Sequence, residues 1–157
     1  MALHAVRLRP VDDVFGIEAA GRLLVSTLPP WMQDLGLLVE AVETGRPAGA
    51  PADWEPGAVI RLPFSAKVSR NGVLCPQALL AVAETAMTLA CAAAWNGYRP
   101  LSVVDQTMHF VRPVSFDVLA DARVVRIGRN TSFGRVTLAS AVDRRQVGMV
   151  TCAYAIL

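Results

Sequence analysis

The chain has 157 residues, enough for one domain with a real core and too few for two. At 54% hydrophobic and 18% charged it sits on the apolar side for a globular protein, which points to surface hidden in an oligomer. Its 15 basic and 13 acidic residues are scattered along the chain, without the basic stripe that a phosphate backbone requires, and this argues against nucleic acid as a partner.

Cys75, Cys91 and Cys152 are odd in number, lie in apolar surroundings and lack the close spacing of a zinc or redox motif. They read as reduced thiols. The first residues, MALHAVRLRPVDDVF, carry no apolar run of signal-peptide length, so a cytoplasmic protein is expected. Neither His4 nor His109 has a metal-like neighbour, and no metal site is expected.

In chain order, residues 12–27 place apolar Val14, Ile17, Leu24 and Val25 behind leading acids. The pattern predicts an amphipathic helix stopped before Pro29 and Pro30, so that residues 1–30 form an N-terminal helical extension. A first strand is expected over 36–43. Residues 45–57, rich in proline, glycine and alanine, read as an inserted surface loop able to move or to cover a pocket. Strand character resumes over 58–68, weakened at Pro63, and a turn follows at Arg70, Asn71 and Gly72.

Residues 73–95 are nearly long enough to cross a bilayer. Gln77, Glu84, Thr85 and Thr88 interrupt them, alanine makes up much of the remainder, and a mid-span carboxylate is costly in lipid. The stretch therefore reads as a long buried helix, with Pro76 near its first turn and Asn96-Gly97 as its stop, and no membrane partner is expected. After Pro100 the pattern changes to period two in four runs, 101–112, 116–127, 132–143 and 146–157, joined by short turns that force antiparallel neighbours. In the third run Val136, Leu138 and Val142 share a face with the small Gly134 and Ser140, which lets a helix lie close. The class is α+β: an antiparallel sheet of five to six strands wrapped around one long helix.

That order, with the strings MHFVRPVSFDVLADARVVRIGRN (residues 108–130), LGLLVEAVETG and NGVLCPQALLAVAETAMTLA, resembles the hotdog-fold acyl-CoA thioesterases of the phenylacetate-degradation type. The resemblance covers residues 31–157 and implies the hotdog fold and a homodimer or homotetramer with its site shared across the interface. It also implies hydrolysis of an acyl-CoA thioester, with no cofactor other than the CoA of the substrate. Glu84 falls on the family's general base or nucleophile. The family's His-Gly-Gly falls on Cys75, Pro76 and Gln77, and the polar residue before it on Ser69. The first glycine's N–H is the family's oxyanion donor, and Pro76 has none to give; Gln77 supplies it through a shifted geometry, or the mechanism is not the usual one.

The residues themselves support part of this assignment. At 100° per residue Gln77, Glu84 and Thr88 fall within about 20° of one direction, a polar stripe expected to face a pocket or subunit interface. On the plainer reading Thr88 bonds a carbonyl one turn back and Gln77 caps the helix. Burial among Val82, Ala83, Ala86 and Met87 is expected to raise the Glu84 pKa. Cys75 reads as inert more readily than as a nucleophile, and His109 as structural. Arg126, Arg129 and Arg135 gather near a hairpin turn, where Arg126 and Arg129 are candidates for the phosphates of CoA. The competing function is a hotdog protein that binds acyl-CoA or another apolar ligand without turnover. A hydratase or dehydratase is disfavoured, since those families pair a histidine with the acid.

Overall fold

Alternation along the last four strands builds the sheet, and the alanine-rich segment before them fills its concave face. The computed structural model describes residues 14–157; His4 and the acids at 12 and 13 lie outside them. Two short helices come first, α1 (Ile17–Thr27) and α2 (Pro30–Gln33), then strands β1 (Leu38–Glu43) and β2 (Gly57–Leu62). A two-residue hairpin, β3 (Ser69–Arg70) and β4 (Val73–Leu74), leads into α3 (Pro76–Trp95). The chain finishes with β5 (Leu101–Phe110), β6 (Val118–Ile127), β7 (Thr131–Ser140) and β8 (Gln146–Ile156). Six strands form one antiparallel sheet in the order β1-β2-β6-β7-β8-β5. This is the hotdog arrangement expected from the sequence.

Local chemistry sets the bounds of α3. Asn71 and Gly72, both at positive φ, turn the β3–β4 hairpin as an Asn-Gly pair does in a tight two-residue loop. Cys75 then becomes the N-cap and Pro76 the first helical residue, where a missing N–H does no harm to helix bonding. At the far end Asn96 takes the left-handed conformation, with Gly97 N–H donating to Ala92 O at 2.8 Å and Asn96 N–H to Ala93 O at 3.1 Å. That pair of bonds stops the helix. Asn96 Oδ1 also accepts the Phe15 N–H at 2.6 Å, tying the segment before α1 to the end of α3.

Twelve residues of α3 are buried, chiefly against β2 and β6 and also against β7 and β1. Side chains such as Ile60, Leu62 and Leu138, wholly inside, contribute about 1.5–3 kcal/mol each through lost apolar surface. Gly134 lies under Met87, whose thioether occupies the place a Cβ would take, so the small residue does let the helix approach. Among the described residues α3 is the one helix long and apolar enough to cross a membrane, and 67% of that stretch is buried inside the protein.

Several boundaries and faces differ from expectation. The buried face of α1 is Ala19, Ala20, Leu23 and Leu24, with Phe15 before it, whereas Val14, Ile17 and Val25 are exposed. β2 ends at Leu62, before Pro63, and the chain passes through one 3-10 turn at Ala66–Val68 instead of continuing as strand. β7 ends at Ser140, so Val142 is exposed in the following turn and not on the sheet face.

Candidate functional site

The least buried side of α3 carries Gln77, Leu80, Ala81, Glu84 and Thr88, the stripe expected from helical spacing. Its middle opens on a cavity of about 340 Å³ between α3 and the α1–α2 pair, within the usual size range of small-ligand sites. Leu24, Leu28, Trp31 and Met32 form the outer wall, Leu89 and Leu101 the inner one, and Glu84 supplies the only ionisable carboxylate. By accessible area Glu84 is exposed and not buried as the sequence suggested. Its carboxylate is nevertheless crowded enough for desolvation to raise its pKa from the ordinary 4.5, and that desolvation is the cause resolved for the shift.

Three cavity hydroxyls turn inward on their own helices. Thr27 donates to Leu23 O at 2.6 Å, Thr85 to Ala81 O at 2.8 Å and Thr88 to Glu84 O at 3.2 Å. The plain reading of Thr88 therefore holds, and beside Glu84 these threonines offer lone pairs but no protons. An oxyanion formed next to Glu84 needs its donor from elsewhere.

The first turn of α3 has one to offer. Cys75 N–H donates to Val68 O at 2.9 Å, Pro76 has no N–H, and the Ala78 and Leu79 amides bond Cys75 O at 3.1 and 3.3 Å. Between them the Gln77 N–H has no partner among the described residues, and Gln77 is exposed. No side chain caps this end, so Gln77 does not act as a cap. Ser69, on β3, pairs with Leu74 and stands half-buried beside the same helix start. Gln77 and Glu84 are seven residues apart, about 10 Å along the axis, and the first N–H groups of a helix point away from its body. One subunit cannot aim both at one carbonyl.

Ser69, Cys75, Pro76 and Gln77 thus gather at the start of α3, while Glu84 and Thr88 sit at its middle. Arg126 and Arg129 are at the opposite end of the sheet, exposed beside the β6–β7 turn and without an ion-pair partner among the described residues. Arg135 is not with them: a bulge after Val124 sets it opposite Arg123, where it pairs with Glu55 at 2.9 Å. That ion pair, together with Arg46 bonding Ala50 O and Pro51 O, pins the 45–57 segment. None of its residues lines the cavity beside Glu84.

His109 is exposed on β5, on the sheet face turned from α3, opposite Met149. Cys91 and Cys152 are free and buried, and burial pushes each thiol up to about 11. Such thiols stay protonated and inert. Cys75 is free and half-buried at the N-cap. Among the described residues no three His, Cys, Asp or Glu side chains could hold a metal ion. Sequence reasoning did not find the walls of the cavity, Leu24, Leu28, Trp31, Met32 and Tyr98, because α1, the α1–α2 link, α2 and the loop after α3 come together only in the folded chain.

The sequence profile of the thioesterase superfamily matches residues 71–146, which run from the β3–β4 turn through α3 to β8 and include Glu84. Over that segment the chain is similar to the thioesterase superfamily, and its fold is the hotdog fold. A point variant of the phenylacetic acid degradation protein PaaI from Thermus thermophilus is 26% identical, with 82% of this chain and 100% of that one covered at a TM-score of 0.65. The PaaI protein of the Escherichia coli phenylacetic acid degradation operon has 16% identity, covers 90% and 93% of the two chains, and has a TM-score of 0.72. A thioesterase of Haemophilus influenzae is 18% identical over 93% of each chain, also at 0.72. The last two, at such identity, show the fold. No curated protein matches the chain by sequence.

The matched segment holds the carboxylate and the free amide, whereas α1, α2, β1 and β2 lie outside it.

Proposed function

We propose that this protein hydrolyses acyl-CoA thioesters to a free acid and CoA. The observation that carries the reading is the desolvated Glu84 carboxylate opening on an apolar cavity, at the position where the family's general base or nucleophile is expected. As base, Glu84 takes a proton from water while the resulting hydroxide adds to the thioester carbon. The C–S bond then breaks, and the departing CoA thiolate receives the proton. As nucleophile, the carboxylate would attack the carbon first, displacing the thiolate, and water would release the acid.

A second copy completes the site in this reading. The amide of Gln77 of the partner subunit receives the oxyanion, because a chain's own Gln77 lies too far along α3 and faces the wrong way. The two sheet edges support the pairing. β1 bears Glu40 and Glu43 and is backed by α1, as protected edges are. β5 is an open ten-residue edge whose Val103, Val104 and Phe110 are 43%, 65% and 55% exposed, the form a homodimer seam takes. Exposed Arg126 and Arg129 would meet the CoA phosphates as neighbouring molecules bring that rim to the site. Free thiols at Cys75, Cys91 and Cys152 suit a reducing cytoplasm.

Pro76 favours a second reading, a hotdog protein that binds acyl-CoA without turning it over, since the N–H of the family's first glycine is missing. Thiol release from a panel of acyl-CoAs by the wild type and Glu84→Gln separates the two. Turnover that falls about 10²- to 10⁴-fold in the variant supports hydrolysis through Glu84. No release across the panel, with the CoA esters still bound, supports the binder.

A further inference from the structure

We infer that the outward face of α1 is a docking surface for the α1 of a second copy of this chain, the two helices crossing antiparallel with Gly21 at the contact. The surface lies apart from the β5 edge, and the inference does not depend on the hydrolase reading. α1 has two apolar sides. Leu23 and Leu24 turn inward, whereas Ile17 and Val25 are 53% and 70% exposed. At 100° per residue Ile17 and Val25 stand about 40° to either side of Gly21, so the three make one outward stripe. A contiguous exposed apolar stripe suits a partner better than water.

Gly21 points to the kind of partner. Glycine weakens a helix interior relative to alanine, yet a Cβ at Gly21 would meet nothing within 4 Å, so no packing inside the subunit requires its absence. The missing side chain leaves a bare stretch of backbone over which another helix can pass closely. Charge then favours an identical helix. Glu18 and Arg22 lie on one flank of the stripe, their side chains 93% and 55% exposed and loosely paired at 3.9 Å. A two-fold axis through the Gly21 contact brings like flanks together and sets Arg22 about 3 Å along the helix from the partner's Glu18, with the reciprocal pair beside it. Ile17 then packs on the partner's Val25. Glu18 and Arg22 are the only charges over residues 17–33. That balance suits the exchange and lacks the basic face by which a helix lies on an anionic lipid surface. α1 backs β1, at the opposite end of the sheet from β5, so a dimer joined at β5 keeps the stripe open for a second dimer.

The test is sedimentation equilibrium at low ionic strength of the wild type, Glu18→Arg, Arg22→Glu and an equimolar mixture of the two variants. Each variant alone sets like charges against one another across the two-fold axis, and its dissociation constant for the α1 contact should rise at least tenfold. The mixture should return to within about threefold of the wild type. Because the Glu18–Arg22 pair within each helix stays broken in the mixture, only contacts between chains can restore association. Gly21→Leu, at an open position with a residue that helices favour, should weaken association at least tenfold without lowering the melting temperature. A mixture no tighter than its components would overturn the inference, as would an unchanged constant in Gly21→Leu. Binding of the wild type to phosphatidylglycerol vesicles, lost in Ile17→Ser with no change in mass, would overturn it in favour of a lipid surface. Association is read as a doubling of whatever unit the β5 edge provides, so failure of that seam would halve every mass and leave the comparison intact.

Discussion

Glu84 combines two properties that pull against each other. Its carboxylate is desolvated by the cavity wall, which raises the pKa and brings the base nearer the working pH. The same desolvation disfavours the ionised form in the folded protein. Since the folded pKa lies above the unfolded 4.5, the folded state holds more protons across that window, and stability falls as pH rises through it. Glu84→Gln removes this cost. The variant should melt above the wild type at pH 7 to 8, and the gap should close as pH drops below about 4.5 in paired thermal denaturation scans. For Gln77 the backbone N–H is the proposed donor, not the amide side chain. Gln77→Ala should keep kcat within about twofold, whereas loss of an oxyanion donor costs on the order of 100- to 1000-fold. The sequence exposed Glu84 as a lone carboxylate on an apolar helix. It did not reveal that Gln77 retains the one unused amide of that turn, because this depends on where the amides of Cys75, Ala78 and Leu79 are bonded.

At the level of elements, two glycines set close approaches, Gly57 that of β2 to β6 and Gly134 that of β7 to α3. A Cβ at Gly57 would run into the Ala122 carbonyl oxygen, and one at Gly134 into the Met87 thioether, with Arg123 O 2.9 Å away. Met87 can swing aside; backbone cannot. Gly57→Ala should therefore cost more than Gly134→Ala. Overpacking of this kind is worth about 1–3 kcal/mol, a fall of several degrees in Tm for a chain this long. α3 and the meander were legible because Pro76, Asn96-Gly97 and the alternation in β6 to β8 are local signals. The face of α1 was not: apolar residues occur all around that helix, and only tertiary docking selects Leu23 and Leu24 over Val14, Ile17 and Val25. The arginine cluster dissolved for a related reason. One bulge after Val124 shifts the β6–β7 register by one residue, so that Arg135 sits opposite Arg123, where it meets Glu55, while Arg126 sits opposite Phe133.

For the molecule as a whole, a catalytic site divided between subunits would make activity depend on association. The open β5 edge, with exposed Val103 and Val104, is where a second sheet would continue the first. Val104→Lys, placing like charges near one another across a two-fold seam, should raise the dimer dissociation constant at least tenfold by sedimentation equilibrium. Specific activity should fall in step with the dimer fraction while circular dichroism stays unchanged. The covered edge at β1 should not respond in this way. The most direct measurement of the central claim is the pH dependence of kcat/KM for a medium-chain acyl-CoA in the wild type and in Glu84→Gln. With Glu84 as the base, the wild type should gain activity through one acid limb whose apparent pKa lies above 4.5, and the residual rate of the variant should lack that limb. The same limb in both proteins would contradict the assignment of the chemistry to Glu84.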